Sequence, residues 1–323
     1  MSRTRRAALL AVVGAVAIAL PYVAPSYYVS IATLVLGSAV LAAAVNMLVG
    51  EVELFSLGHA GIAAAAAYGL AWASGQGYDY PGQLLVALGM TVLASVIYGL
   101  ISMRTTGVFF LMVTLAAGMV CFGMAYRWSS VTGGDNGITG IRRPPFVAEY
   151  WQFYFLVLVA LLVVTFALYR LSVSPLGLTL RGIRDSQSRM QSLGYRVAAY
   201  KFTAVVMSGM VAGLAGVLLV WHHEFISPAF AGFQASALAL VMVVLGGAGR
   251  LYGPLVGAAI VVLIQQVLST YVERWPTVLG VIFILAVIVV QRGYPARIRE
   301  ALRRRRATST TSEHMQVSTS TEG

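Results

Sequence analysis

Tyr28–Val49 reads YVSIATLVLGSAVLAAAVNMLV, a stretch without a single charged side chain. An α-helix rises about 1.5 Å per residue and the hydrocarbon core of a bilayer is about 30 Å thick, so about 20 such residues suffice to cross it. A helix is suited to that task because it satisfies its backbone N–H and C=O groups within its own segment. Working outward from this stretch, comparable apolar runs occur at Ala7–Ala24, Leu54–Ser74, Gly82–Met103, Gly107–Tyr126, Tyr150–Tyr169, Phe202–Trp221, Gln234–Leu245, Gly253–Tyr271 and Pro276–Val290. The run Gln234–Leu245 is short for a span. Glycine-rich breaks such as Ser74-Gly75-Gln76-Gly77 and Gly246-Gly247-Ala248-Gly249 punctuate the series. The fold class is therefore all-α, a polytopic helical bundle of about ten transmembrane helices. The count falls to nine if the first run, preceded by Arg3, Arg5 and Arg6, is a cleaved signal peptide; Ala24-Pro25 is a poor cleavage pattern, so a retained first helix is preferred.

Composition agrees with the runs. With 59% hydrophobic and 10% charged residues the chain cannot cover a soluble surface. A single cysteine, Cys121, precludes an intrachain disulfide and a cysteine metal cluster. The net charge of +11 would suggest nucleic acid in a soluble protein. Here its placement gives another explanation, because cytoplasmic loops retain Lys and Arg. With the N-terminus inside, eighteen of the 22 basic residues fall on the inner side, leaving Arg127, Arg142, Arg143 and Arg274 outside. The expectation is a multi-pass membrane protein with both termini cytoplasmic. A transmembrane domain covers 1–293, and a basic, Ser/Thr-rich tail at 294–323 carries Arg303–Arg306 placed to meet anionic membrane lipid. No nucleic-acid partner is needed.

The runs carry no Asp, Glu, Lys or Arg at depth, where each costs about 2.5–3.5 kcal/mol on insertion scales. A stand-alone ion-coupled carrier thus has little support. No G-x-x-x-x-G-K-[ST] phosphate loop occurs, so ATP must be handled by a partner. His222-His223-Glu224 reads as the interfacial end of a helix rather than a metal site, because adjacent helical residues point in different directions.

Three segments stand out. The long inner loop at about 172–201 opens with Ser174-Pro175, a capping residue followed by proline at the first helical position. A short amphipathic helix is expected from there. Leu176, Leu180, Ile183, Met190 and Leu193 fall on one face, with Arg181, Arg184, Asp185, Gln187 and Ser188 mostly away from it. The pattern suits a helix at the membrane surface or one set into a soluble partner. Thr132–Ile141 holds Gly133, Gly134, Asp135, Asn136 and Gly137, suiting tight turns and a docking surface or a plain connection. Ser56–Gly61 combines a hydroxyl, Gly58 and His59 at a span entrance, as in a broken helix. Such a segment lines a pathway or packs.

The chain resembles the LivM-type permease subunit of bacterial branched-chain amino acid ABC importers, from about Asn46 to Gly293. The resemblance rests on Ser56-Leu57-Gly58-His59-Ala60, Met112-Val113-Thr114-Leu115-Ala116, Thr132-Gly133-Gly134-Asp135-Asn136-Gly137, Ser174-Pro175-Leu176-Gly177, Leu193-Gly194 and Met242–Pro254, in that order. It implies a non-enzymatic transport subunit working with a second homologous permease, two cytoplasmic ATPase subunits that hold ATP and Mg, and a periplasmic substrate-binding protein. It implies that Pro175, Arg181, Gly182, Arg184, Asp185 and Gly194 belong to a loop that couples to an ATPase. Ser56, Gly58, His59 and Thr114 become candidates for the translocation path, and Gly133–Gly137 for binding-protein docking. Asp185 stands where that loop commonly has Glu, and the usual Glu and Ala residues are thinned out. Urea or short-chain amide importers resemble the same pattern and form the alternative within transport. No cofactor or metal is expected in this chain.

Overall fold

The computed structural model describes residues 17–271 together with 277, 280 and 281. The start of the first apolar run, nearly all of the last run, the tail and the boundary expected at 293 lie outside the described residues. After a helical stretch at 17–23 come α1 (Ser26–Val52), α2 (His59–Gly75), α3 (Tyr80–Ser102), α4 (Gly107–Arg127) and α5 (Tyr150–Ser172). They are followed by α6 (Pro175–Asp185), α7 (Gln187–Ser192), α8 (Val197–His223), α9 (Phe233–Gly246) and α10 (Gly253–Tyr271). A two-residue antiparallel ribbon pairs β1 (Ile138–Thr139) with β2 (Phe225–Ile226), Ile138 opposite Ile226. Among the described residues the fold is thus a helical bundle with one scrap of sheet. The ribbon and the α6–α7 pair flank opposite ends of α8 and are called here the ribbon end and the basic end.

Among the described residues five helices, α1, α3, α4, α5 and α8, are long and apolar enough to cross a membrane. They divide by burial. The most apolar windows of α1 and α8 are 72% and 67% buried, against 33%, 22% and 17% for α3, α4 and α5. A helix apolar all round belongs in the interior or in lipid. α1 and α8 therefore form the core, packed on each other, while α3, α4 and α5 turn wide apolar faces outward. α2 packs on α3 and α8, and α10 lies along α1 and α9. Small residues permit these approaches, as is common where helices pack in lipid. At Gly216 of α8 a side chain would run into the Ala63 carbonyl of α2.

Three sequence expectations need correction. The run Leu54–Ser74 is not helical from its start: α2 begins at His59, and the backbone from Glu53 to Gly58 is irregular and mostly buried. The run taken to begin at Phe202 starts at Val197, so Lys201 lies inside α8 at 2% exposure rather than in a loop. Its ammonium reaches Thr105 O at 3.2 Å and Gln187 Oε1 at 3.1 Å, which offsets the cost of burial. The single amphipathic helix expected over Pro175–Leu193 is two helices, broken where Ser186 is extended at φ −164°, ψ 105°. The Ser186 hydroxyl accepts Arg189 N–H and so caps the second helix.

One side chain ties two distant turns. Asn46 Oδ1 accepts Gly249 N–H at 2.8 Å, and Asn46 Nδ2 donates to Arg250 O at 3.1 Å. This fixes the α9–α10 turn on the basic end of α1. Each bond contributes about 0.5–1.5 kcal/mol net, so Asn46→Leu should lower unfolding stability by about 1–3 kcal/mol in a detergent-denaturant titration. An unchanged midpoint would show that the turn is held otherwise.

Candidate functional site

The irregular segment before α2 needs partners for its backbone, because no water is at hand in a bilayer core. Thr114 of α4 supplies one: its hydroxyl accepts Leu57 N–H at 3.2 Å. Ser56 supplies another, accepting Gly58 N–H at 3.3 Å. Gly58 must be glycine here, since a Cβ would collide with the Tyr98 ring and the Thr114 carbonyl. Ser236 of α9 accepts Ala60 N–H at 3.3 Å, capping one of the free donors at the start of α2.

His59 closes the arrangement. It is 2% exposed, with Nδ1 2.9 Å from Ser56 Oγ and Nε2 2.6 Å from Ser208 Oγ. The Ser208 hydroxyl lies 2.6 Å from Ala44 O, which can only accept, so Ser208 spends its one proton there. It must therefore receive a proton from His59 Nε2–H. A neutral ring then takes the Ser56 hydroxyl proton at Nδ1, and every polar atom of the group is satisfied. Ser208 stands near the middle of α8, so α2 starts at half depth in the bundle. Ser56, Gly58, His59 and Thr114, singled out from sequence as candidates for a path, are thus brought into one buried knot joining α1, α2, α4 and α8. Its geometry fixes where α2 begins. The neighbouring Ala60 lines a cavity of about 280 Å³ between α1, α8, α9 and α10.

At the basic end Ser174 accepts Gly177 N–H at 3.3 Å and Pro175 opens α6, as the sequence indicates. Leu180 and Ile183 are fully buried, whereas Leu193, expected on the same face, is 66% exposed. Arg181 and Arg184 turn back onto the bundle. Arg181 donates to Ser172 O at 2.6 Å and pairs with Glu51 at 3.5 Å; Arg184 donates to Gly50 O at 2.8 Å. Glu51 and Gly50 lie at the C-terminal end of α1 and Ser172 at that of α5, helix ends where cations are favoured by the dipole. Asp185 stays in solution, beside only its neighbour Arg184. Gly182 lets Met190 of α7 fold back over α6, and Gly194, at φ 85°, ends the pair.

At the ribbon end Gly133, Gly134 and Gly137 all have positive φ, and Gly134–Asn136 forms a 3-10 turn that leaves Asp135 and Asn136 exposed. Thr132 anchors the turn by donating toward Ala125 O and Trp128 O. Sequence reading treated Arg143 only as an outside charge. The structure makes it the clamp of this end, bonded to Trp221 O and His222 O, paired with Glu224 at 3.3 Å and placed over the Phe153 ring. The sequence carries no signal for it, since its acceptors lie 78 and 79 residues further along the chain. His222 and His223 end α8, and among the described residues no three His, Cys, Asp or Glu side chains gather into a metal-binding group.

A family model described as "Branched-chain amino acid transport system / permease component" matches residues 27–291. The chain is similar to the "High-affinity branched-chain amino acid transport system permease protein LivM" of Escherichia coli K12, 30% identical over 315 residues, 89% of this chain and 74% of that protein. The protein of the same description from Salmonella typhimurium is 29% identical over 316 residues, with the same coverage. A "Probable branched-chain amino acid transport permease protein LivM" of Methanocaldococcus jannaschii is 27% identical over 158 residues, 48% of this chain and 46% of that one. No solved structure matches the chain.

The hydrogen-bond logic of His59 is open to measurement. Nitrogen-15 NMR of the imidazole should show a neutral ring protonated at Nε2. Ser208→Ala strands that buried N–H and should cost about 1–3 kcal/mol. A ring protonated at Nδ1 alone would contradict the assignment.

Proposed function

The chain belongs to the branched-chain amino acid permease family, and from that premise we propose that it is the membrane subunit of an ATP-binding cassette importer in a bacterial inner membrane. It carries branched-chain or related hydrophobic amino acids and hydrolyses nothing itself. Its partners are a second homologous permease, two ATPases that bind ATP and Mg on the cytoplasmic side, and a periplasmic substrate-binding protein. The basic end faces the cytoplasm, as the charge count indicates, and the chain crosses the membrane about ten times. α2 and α9 then cross as short helices completed by the irregular segments before them.

The observation that carries this reading is the α6–α7 pair. Its inner face is bonded to the end of α1 through Arg181 and Arg184, while Leu178, Asp185 and Leu193 are left outward. Leu178 is 62% exposed. Two exposed leucines among charges, on a segment locked to the central helix, suit docking of a soluble subunit whose movement is passed to the bundle. Gly133–Gly137, with Asp135 and Asn136 in the open, suits contact with the binding protein at the ribbon end. The His59 knot is the buried end of the path, placing α2 beside the cavity.

Asp185→Arg alters a solvated position, so its folding cost should stay within about 0.5 kcal/mol. Membrane insertion should be normal, with ATPase co-purification or substrate-stimulated ATP turnover lost in the assembled complex. Wild-type turnover together with wild-type uptake would mean that α6–α7 is a membrane-surface element only. Reporter fusions after Gly140 and after Ser188 should read periplasmic and cytoplasmic respectively; the reverse result would invert the topology.

A further inference from the structure

α2 and α4 approach closely at one level, where Gly61 faces Gly118. Toward the ribbon end they are separated by a groove of about 350 Å³, to which α3 contributes Met90. Trp72, Met90, Met124 and Trp128 along it are each more than a third exposed, so the groove opens on the outward apolar surface of the bundle. No charged side chain lines it. Its polar groups offer little to water: the Thr132 hydroxyl is spent on Ala125 O and Trp128 O, the Cys121 thiol meets the Tyr98 hydroxyl at 3.6 Å, and the Tyr68 hydroxyl is sunk in the wall. A bound water needs two to four polar partners, so the groove suits hydrocarbon.

Size and charge narrow that occupant. A helix is about 10 Å across, so less than one turn of it would fill this volume, whereas a flexible hydrocarbon chain can lie along the groove. At the ribbon end a notch shares Met124 and Trp128 with the groove and leads to Arg127, in the last turn of α4. Arg127 is exposed and has no carboxylate or other acceptor among the described residues. Trp72 and Trp128 beside it are residues of the kind that gather at the level of lipid headgroups. Hydrocarbon below, indoles at the mouth and an uncompensated guanidinium above match one molecule, since a guanidinium binds phosphate through paired N–H donors. We propose that the groove binds one phospholipid of the leaflet at the ribbon end, with an acyl chain between α2 and α4 and the phosphate on Arg127. The lipid braces α2 against α4, the helix whose Thr114 already holds the Leu57 amide. The site stands independently of what the chain transports.

The test uses the full chain in maltoside micelles and phosphatidylglycerol carrying a photoreactive diazirine midway along one acyl chain. After illumination, peptide mass spectrometry should place the label mainly on Ala64, Met90 and Cys121. A diacylglycerol with the same chains, which lacks the phosphate, should label these positions at least fivefold less. Arg127→Glu, a change at an exposed position, should bring phosphatidylglycerol down to the diacylglycerol level. Ala65→Phe should fill the groove and abolish labelling there by either lipid; if that variant does not fold, the Arg127 variant still decides. Label spread evenly over the outward faces of α3, α4 and α5 would overturn the site. Equal groove labelling by both lipids, or by wild type and the Arg127 variant, would overturn the phosphate contact and with it the proposal. Groove labelling lost in the assembled importer while label elsewhere persists would assign this face to the second permease and overturn the lipid site as well.

Discussion

The bundle depends on how a stretch of irregular backbone is kept satisfied away from water. Between α1 and α2 the chain does not continue as helix; it folds into the protein, so that α2 starts level with the middle of α8. Each exposed peptide group there would cost several kcal/mol in hydrocarbon. The Thr114, Ser56 and Ser236 hydroxyls take up Leu57, Gly58 and Ala60 N–H, and the His59 ring joins Ser56 to Ser208 and through it to Ala44. The imidazole thus ties the segment before α2 to α8 and, through Ser208, to α1. Gly58 lets the backbone come close enough to Thr114 for this to happen.

Around that knot α1 acts as the connecting element. Its basic end is gripped by the Arg181–Glu51 pair, the Arg184 bond to Gly50 O and the Asn46 clamp on the α9–α10 turn. Its middle carries Ala44, which receives the Ser208 hydroxyl, and Ser38, which faces the cavity. A displacement of α6 would therefore reach the cavity through one buried helix, with no need for a chain of loosely packed side chains. At the other end Arg143 occupies the last carbonyls of α8, so that helix is fixed at both extremities, by Lys201 and by Arg143.

Much of this was legible in the sequence because bilayer thickness translates directly into run length. Tyr28–Val49 lies within α1, Gly253–Tyr271 matches α10 end to end, and Ser174-Pro175 marks the start of α6. What stayed hidden has one physical origin: hydropathy reports on burial, not on backbone conformation. Ser56–Gly61 reads as a broken helix, yet the apolar Leu54 and Phe55 hide how far the break reaches back, and partners such as Thr114 and Ser236 that satisfy it lie on other helices. Lys201 reads as a loop charge because Thr105, far away in sequence, supplies its acceptor. The break at Ser186 carries neither glycine nor proline, and only a serine able to cap hints at it. Ser56, Gly58, His59 and Thr114 were found as a group, yet their mutual bonding was visible only in three dimensions.

Hydrogen–deuterium exchange at the Leu57 and Ala60 amides, in the chain held in lipid nanodiscs, tests the central claim most directly. Both belong to residues at or next to a break between helices, where exchange is ordinarily fast. If their N–H groups are bonded to Thr114 and Ser236 inside the bundle, they should exchange as slowly as amides in the middle of α1, and Thr114→Val should speed Leu57 selectively. Rapid exchange at both positions in the unmodified chain would mean that water reaches this segment and that the knot does not hold the start of α2.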